Sequence, residues 1–398
     1  MAGVRHCVIR VDGSSQDALY DDLIAVEVKE RVGEPSSFAL QVSLQKMSNG
    51  GWSRIDETSF ANGGFLPWQR ITISTGFDDN PDVLIDGYVA GVAPRFEETE
   101  IDTYLLVWGY DASYAMDIEE KVKAWPDKKY SDIASELFGA YGIAVGEVSD
   151  TQVLQDQNKE LLIQRGTDWQ FLRQLAKQLG FDVFVRGGKG YFRAPDPSRS
   201  PQKDLAVHMG QLLTNIIWFE PRVVGDLPTK ISVSRVNALT KKVEKVEVSS
   251  STLKPLGKRD GDALRGGRKV PQQPVALGPP EPLVSEQAME ALATGIRRHN
   301  DWMVTGEGEL DGMLYGRALR ADGMVLIKGA GKAFSGRYYV NEVTHRITPE
   351  GYTQNFKVLR NALDMQGDEP FQSLDAKPEE PAGADERVSV RKEGPEVA

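Results

Sequence analysis

The chain has 398 residues, enough for two or three domains with sizeable cores, and its 40% hydrophobic and 26% charged content is that of a folded globular protein. Its single cysteine, Cys7, excludes a disulfide framework and a cysteine-based zinc site within one chain. Asp and Glu (58) outnumber Lys and Arg (47), and the net charge of -11 argues against a general nucleic-acid coat. No apolar run reaches the ~18 residues of a membrane-spanning helix. Residues 1–11 lack the apolar stretch of a secretory signal. Cytoplasmic synthesis without membrane insertion is therefore expected.

Period-two alternation marks the first 110 residues as β-structure. Ile24, Val26 and Val28 alternate with Ala25, Glu27 and Lys29, and Phe38, Leu40, Val42 and Leu44 alternate with Ala39, Gln41 and Ser43. Further strands are expected at 4–11, 71–75, 83–89 and 104–108. They are separated by turns at Asn49-Gly50-Gly51, Asn62-Gly63-Gly64 and Asp78-Asp79-Asn80-Pro81. Short strands at this spacing close into a barrel or sandwich, because an open sheet leaves its edges exposed.

The pattern changes near Asp111. Ser131 is expected to cap a short helix with Ile133, Leu137 and Tyr141 on one face, stopped by Gly142. Asp168 is expected to open and cap a second helix, with Trp169, Leu172, Leu175, Ala176 and Leu179 on its apolar face and Gly180 at its end. A hairpin follows over 181–194 around Gly187-Gly188-Lys189-Gly190. Strands return at 213–219, 230–236 and 242–249. The stretch 251–282 reads as a long Gly- and Pro-rich loop, basic through Lys254, Lys258, Arg259, Arg265, Arg268 and Lys269. Ser285 caps a helix over 285–300. Strands are expected at 302–305, 324–328, 337–347 and 352–359, the last two joined by a turn at Thr348-Pro349-Glu350-Gly351. The final segment, 364–398, holds ten acids against four bases and four prolines, and reads as a disordered acidic tail.

Chemical motifs are sparse. His6, His208, His299 and His345 show no metal-ligand spacing, and His345 reads as a satisfied structural histidine on a strand. Cys7 reads as a small buried hydrophobe. Its neighbour His6 points to the opposite face of the strand and is poorly placed to activate it. Gly306-Glu307-Gly308-Glu309-Leu310-Asp311-Gly312 lacks dinucleotide-loop spacing and reads as a turn between antiparallel strands. Gly329-Ala330-Gly331-Lys332-Ala333 lacks the glycine and hydroxyl positions of a phosphate loop. No catalytic, cofactor or metal residue is assigned.

The segment Leu161–Pro195 resembles a signature of the phage late control protein D family, which includes the central baseplate hub proteins of contractile tails and the hub part of VgrG. Gln164, Asp168, Trp169, Phe171, Leu172, Leu175, Ala176 and Gly180 fall on that signature. Asp86-Gly87-Tyr88-Val89 with Gly109-Tyr110-Asp111-Ala112-Ser113 is similar to a family strand and its closing step. Phe334-Ser335-Gly336-Arg337-Tyr338-Tyr339-Val340, Val343-Thr344-His345 and Gly351-Tyr352 are similar to the family's last hairpin. The resemblance spans residues 5–363.

It implies a mainly β fold with an α+β insertion. Two tail-tube-like β-barrel domains, 1–110 and 205–363, would flank a small α+β region at 111–204. Gly87 and Gly336 would permit close backbone approach. The implied role is a structural baseplate hub of a phage tail or phage-like contractile injection system, made in a bacterial cytoplasm. A homotrimer would adapt a hexameric inner tube to a separate trimeric spike, since nothing after Leu363 has the strand alternation of a spike. Tape-measure and baseplate wedge proteins are further implied partners. The alternative is a tail-associated cell-wall hydrolase using Glu307 and Glu309 as paired carboxylates. A third reading makes the acidic tail a docking segment for a chaperone or cargo.

Overall fold

The computed structural model describes residues 7–56, 65–75, 81–152, 161–210, 214–237, 240–269, 272–277 and 285–369. His6, the turns at 62–64 and 78–80, and residues 370–398 of the expected tail lie outside the described residues.

The first lobe consists of β1 (Cys7–Val11), β2 (Ser14–Ser15), β3 (Leu23–Arg31), β4 (Ser37–Ser43), β5 (Arg70–Thr75), β6 (Asp82–Arg95) and β7 (Tyr104–Asp111). The middle unit holds β8 (Glu120–Trp125), α1 (Tyr130–Ala140), β9 (Ala144–Val148), β10 (Leu162–Thr167), α2 (Asp168–Leu179), β11 (Asp182–Arg186) and β12 (Lys189–Arg193). After it come β13 (Leu205–Ala206), β14 (Ile216–Val223), β15 (Lys230–Val236), β16 (Val243–Val248), β17 (Arg259–Asp260), α3 (Gly261–Arg265), β18 (Gln272–Leu277) and α4 (Glu286–Asn300). The chain ends in β19 (Val304–Asp311), α5 (Gly312–Tyr315), β20 (Gly323–Lys328), α6 (Gly331–Phe334), β21 (Gly336–Thr348), β22 (Gly351–Arg360) and β23 (Ala362–Leu363).

The fold is mainly β, and strands from the two ends of the sequence share one large sheet. Its order is β14-β19-β22-β21-β3-β4-β7-β6-β5-β1-β2, with β20 on β21 and β13 on β20. The seam is the antiparallel pairing of β21 with β3, from Glu342 opposite Arg31 to Ile347 opposite Val26. Two apolar cores form on this sheet. One gathers Ile9, Val26, Val28, Leu40, Ile73 and Val107. The other gathers Val304, Leu310, Val325, Tyr338, Val343 and Phe356. A third core lies around α1 and α2, and α4 covers a separate sheet of order β16-β15-β18.

Phe38, Leu40, Val42 and Leu44 all point inward as alternation requires. Ile24 does not: a bulge between Leu23 and Ala25 against β4 shifts the phase, burying Leu23 and leaving Ile24 exposed. α1 begins at Tyr130 with Lys129 at its cap, so Ser131 sits inside the first turn rather than capping it. Ser285 caps α4 as expected, its Oγ accepting from the Ala288 N–H at 3.0 Å.

The stretch 251–282 is not simply a loop, since it contributes β17, α3 and β18. Pro274 disguises β18 in the sequence. The strand tolerates it because β18 is an edge strand, paired among the described residues only with β15. The expected turn at 306–312 is likewise a strand, β19. Its glycines serve packing: a Cβ on Gly306 would lie 2.7 Å from the Phe219 ring, and one on Gly308 2.5 Å from the Phe356 ring. The expected tail is docked at its start. Arg259 pairs with Asp364, and Gln366 Nε2 donates to the Pro255 carbonyl at 2.6 Å.

α2 and α4 meet through two glycines. Gly180 ends α2 in the left-handed region (φ +62°), and a Cβ there would come within 2.7 Å of the Gly295 carbonyl. A Cβ on Gly295 would lie 2.3 Å from the Gln178 carbonyl. Both obstacles are backbone and cannot swing aside. Gly295→Ala is therefore expected to destabilise the protein by about 1–3 kcal/mol, as overpacking does. A lower denaturant midpoint with an unchanged m-value is the reading that checks it.

Candidate functional site

The signature residues assemble a buried polar cluster at the head of α2. The Thr167 hydroxyl, not Asp168, caps the helix, accepting from the Gln170 N–H at 3.1 Å. Asp168 is the first helical residue and turns inward. It accepts from Gln164 Nε2 at 2.6 Å, Lys121 Nζ at 2.6 Å and the Tyr141 hydroxyl at 2.7 Å. Burial pushes its carboxyl up, but these three donors hold it below the usual range. Gln164 Oε1 in turn accepts from the Trp125 indole at 3.1 Å. Trp169, Phe171, Leu172 and Leu175 are buried in the core beneath, with Trp125 stacked on Phe171. These groups tie β8, β10, α1 and α2 together. Their donors and acceptors are turned on one another, which suits scaffolding rather than chemistry.

A second buried network sits where the three parts of the chain meet. Glu30 points into the seam from β3. The Arg320 guanidinium donates to its carboxylate and also to the Val83 carbonyl at 2.5 Å. Arg186 from the β11–β12 hairpin lies 3.9 Å from Glu30 and donates to the Ala321 carbonyl at 2.7 Å. Two residues along, Asp322 accepts from Arg193 of the same hairpin and from the Tyr339 hydroxyl at 3.0 Å. Tyr339 stacks on Trp302 and also reaches Asp182 at 2.6 Å. Thus the segment before β20 joins the first lobe, the middle unit and the second lobe by charge-assisted bonds.

His345 belongs to this junction. It is buried on β21, its Nδ1 is 2.7 Å from the Tyr352 hydroxyl, and its Nε2 is 3.8 Å from Glu30. Burial pushes the imidazole down to about 4, outweighing Glu30, so it is neutral near pH 7. Burial raises Glu30 in turn, but Arg320 and Arg186 outweigh it and hold the carboxylate ionised.

The other sequence-predicted residues are dispersed. Gly87 lies on β6, where a Cβ would fall 2.0 Å from the Tyr110 carbonyl oxygen. Gly336 opens β21 at φ +131°, against the Arg360 guanidinium. Cys7 is buried, and burial pushes its thiol up to about 12. Glu307 and Glu309 project from the outer face of β19, and Glu309 accepts from the Trp218 indole at 3.1 Å. Among the described residues no cluster of three or more His, Cys, Asp or Glu is placed to hold a metal, and no helix is long and apolar enough to cross a membrane. Glu30, Arg186, Arg193, Arg320 and Asp322 escaped sequence reading. One signal was available for Glu30, which continues the inward phase of Val26 and Val28.

This continuous sheet with its α+β insertion is similar in fold to solved phage tail proteins. A 43 kDa tail protein of prophage MuSo2 from Shewanella oneidensis matches with TM-score 0.61 at 14% identity, covering 90% of this chain and 99% of that one. A tail protein from Neisseria meningitidis MC58 matches with TM-score 0.64 at 12% identity, over 89% and 96%. A chain of the Francisella PdpA–VgrG complex in its lidded form matches with TM-score 0.51 at 9% identity, over 89% and 52%. No curated protein matches by sequence. The chain belongs to the family described as the Alg8 N-terminal domain, which matches residues 3–349.

Two measurements test the junction. Glu30→Ala leaves the Arg320 guanidinium buried without its carboxylate and is expected to cost about 3–5 kcal/mol in chemical denaturation. Because the folded-state pKa of His345 is depressed from 6.5 to about 4, its contribution is fully present above pH 6.5 and is lost as pH falls toward 4. His345→Gln is expected to flatten that part of the acid limb in a stability–pH profile.

Proposed function

We propose that this protein is a structural hub of a phage tail or phage-like contractile injection system, working as a homotrimer between the inner tube and the spike. The observation that carries the reading is one sheet bearing two separate β cores, in the fold shared with phage tail proteins. In this reading residues 1–110 and 205–363 each act as a tube-like barrel, with 111–204 as the unit that spaces them. Three chains then present six similar barrels to a six-fold tube while keeping three-fold symmetry toward the spike. Symmetry matching is the function, and the buried networks hold each pair of barrels at a fixed angle.

The open edge of the sheet supports assembly. Among the described residues β14 pairs only with β19, and Ile217 (57% exposed), Trp218 and Val223 stand exposed on it. An exposed apolar edge strand needs a cover, and a neighbouring copy would supply one.

Co-expression with the tube and spike proteins of the same particle, followed by mass measurement and imaging, tests the role. Three copies per spike trimer are expected, and a chain that stays monomeric with both present would sink the proposal. Ile217→Lys is expected to leave folding unchanged and to lower the trimer association constant at least tenfold in sedimentation, equivalent to about 1.4 kcal/mol.

A further inference from the structure

Tyr339 stands between two carboxyl groups with one hydroxyl hydrogen to give. Its oxygen is 2.6 Å from Asp182 Oδ2 and 3.0 Å from Asp322 Oδ1. A phenol donates one hydrogen bond. With both carboxyls ionised, one of these contacts would place oxygen against oxygen with no hydrogen between them.

The surroundings decide which carboxyl keeps a proton. Burial raises Asp322 too, but it accepts from Arg193, with Arg186 at 3.9 Å and Arg199 at 3.8 Å, and these three guanidiniums work against that rise in favour of its anion. Asp182 has no ion pair within 4 Å among the described residues. Arg193 on β12 and Arg298 on α4 act on it from farther away, and Asp322 repels it. Its open side lines a groove of about 710 Å³ that also holds Arg31 and Glu34 at the end of β3, Arg173 and Lys177 on α2, and His299 on α4.

We propose that Asp182 and Asp322 share one proton through Tyr339, forming a proton-dependent latch between the β11–β12 hairpin and β21. The protonated Asp182 donates to the Tyr339 oxygen, and the Tyr339 hydroxyl donates to the Asp322 carboxylate. Losing the proton puts two anions on one phenol and weakens this tie between the hairpin and β21.

Burial pushes Asp182 up to about 7, which agrees with the hydrogen count. Because this folded-state pKa lies above the ordinary 3.8, the folded chain binds the extra proton between about pH 4 and 7. Stability from this group therefore falls as pH rises through that window and is level above it. His345 slopes the other way between about 4 and 6.5, but it is common to wild type and variant and cancels in their difference.

The test uses the full chain as wild type, Asp182→Asn and Asp322→Asn. Infrared difference spectra between pH 5 and 9 read protonated carboxyl directly. Wild type is expected to show a carboxyl titrating near pH 7 that Asp182→Asn lacks, and its denaturant midpoint should fall more with pH than that of Asp182→Asn. In Asp322→Asn the Tyr339 hydroxyl is free to serve Asp182, so that titration should drop by about one pH unit or more. An undiminished signal in Asp182→Asn would overturn the proposal. So would an unchanged titration in Asp322→Asn, which would make burial alone the cause. Should Asp322→Asn fail to fold, the Asp182→Asn comparison decides alone.

Discussion

A carboxylate buried without cations is too costly to persist as an anion, and Glu30 is buried at the seam of the sheet. Everything around it follows from the need to satisfy it. Arg320 must come from the segment before β20, and Arg186 must come from the hairpin of the middle unit. Those two cations arrive from different parts of the chain and tie the lobes together at this point. Asp322 repeats the device two residues later with Arg193. Apolar contact alone would let the lobes slide, whereas directional charge-assisted bonds fix their register. Glu342, next along the seam, sits under Lys29, Arg31 and Lys357 and extends the same pattern to the surface.

Regular patterns were legible in the sequence. The strand 37–43, the amphipathic faces of α2 and α4 and the hairpin at Gly187-Gly188 follow from period, caps and turn chemistry. The departures have local causes. A bulge reversed the phase at Ile24, and an edge proline hid β18. Glycines that make room for Phe219 and Phe356 imitated a turn. Asp168 looked like a cap because it stands at the right place, but Thr167 takes that task and frees it for Lys121. Long-range ion pairs are invisible to any of these rules, since Arg320 is 290 residues from Glu30. The junction therefore had to be found in three dimensions.

The signature that carries the family resemblance makes one compact object: a helix head whose buried carboxylate is shared by two strands and another helix. Such a cluster tolerates little change, because removing one member strands the others in the core. That accounts for a recognisable motif in a chain without an assigned active site.

The seam between β3 and β21 has a mechanical side. Its paired residues run antiparallel over Val26–Arg31 and Ile347–Glu342. A pull along those strands loads the rungs of the ladder together, in shear. A pull across them loads one rung at a time and peels the seam like a zipper. The single sheet thus gives the molecule a stiff axis and a weak one, and the direction in which force enters it matters as much as the number of bonds that resist.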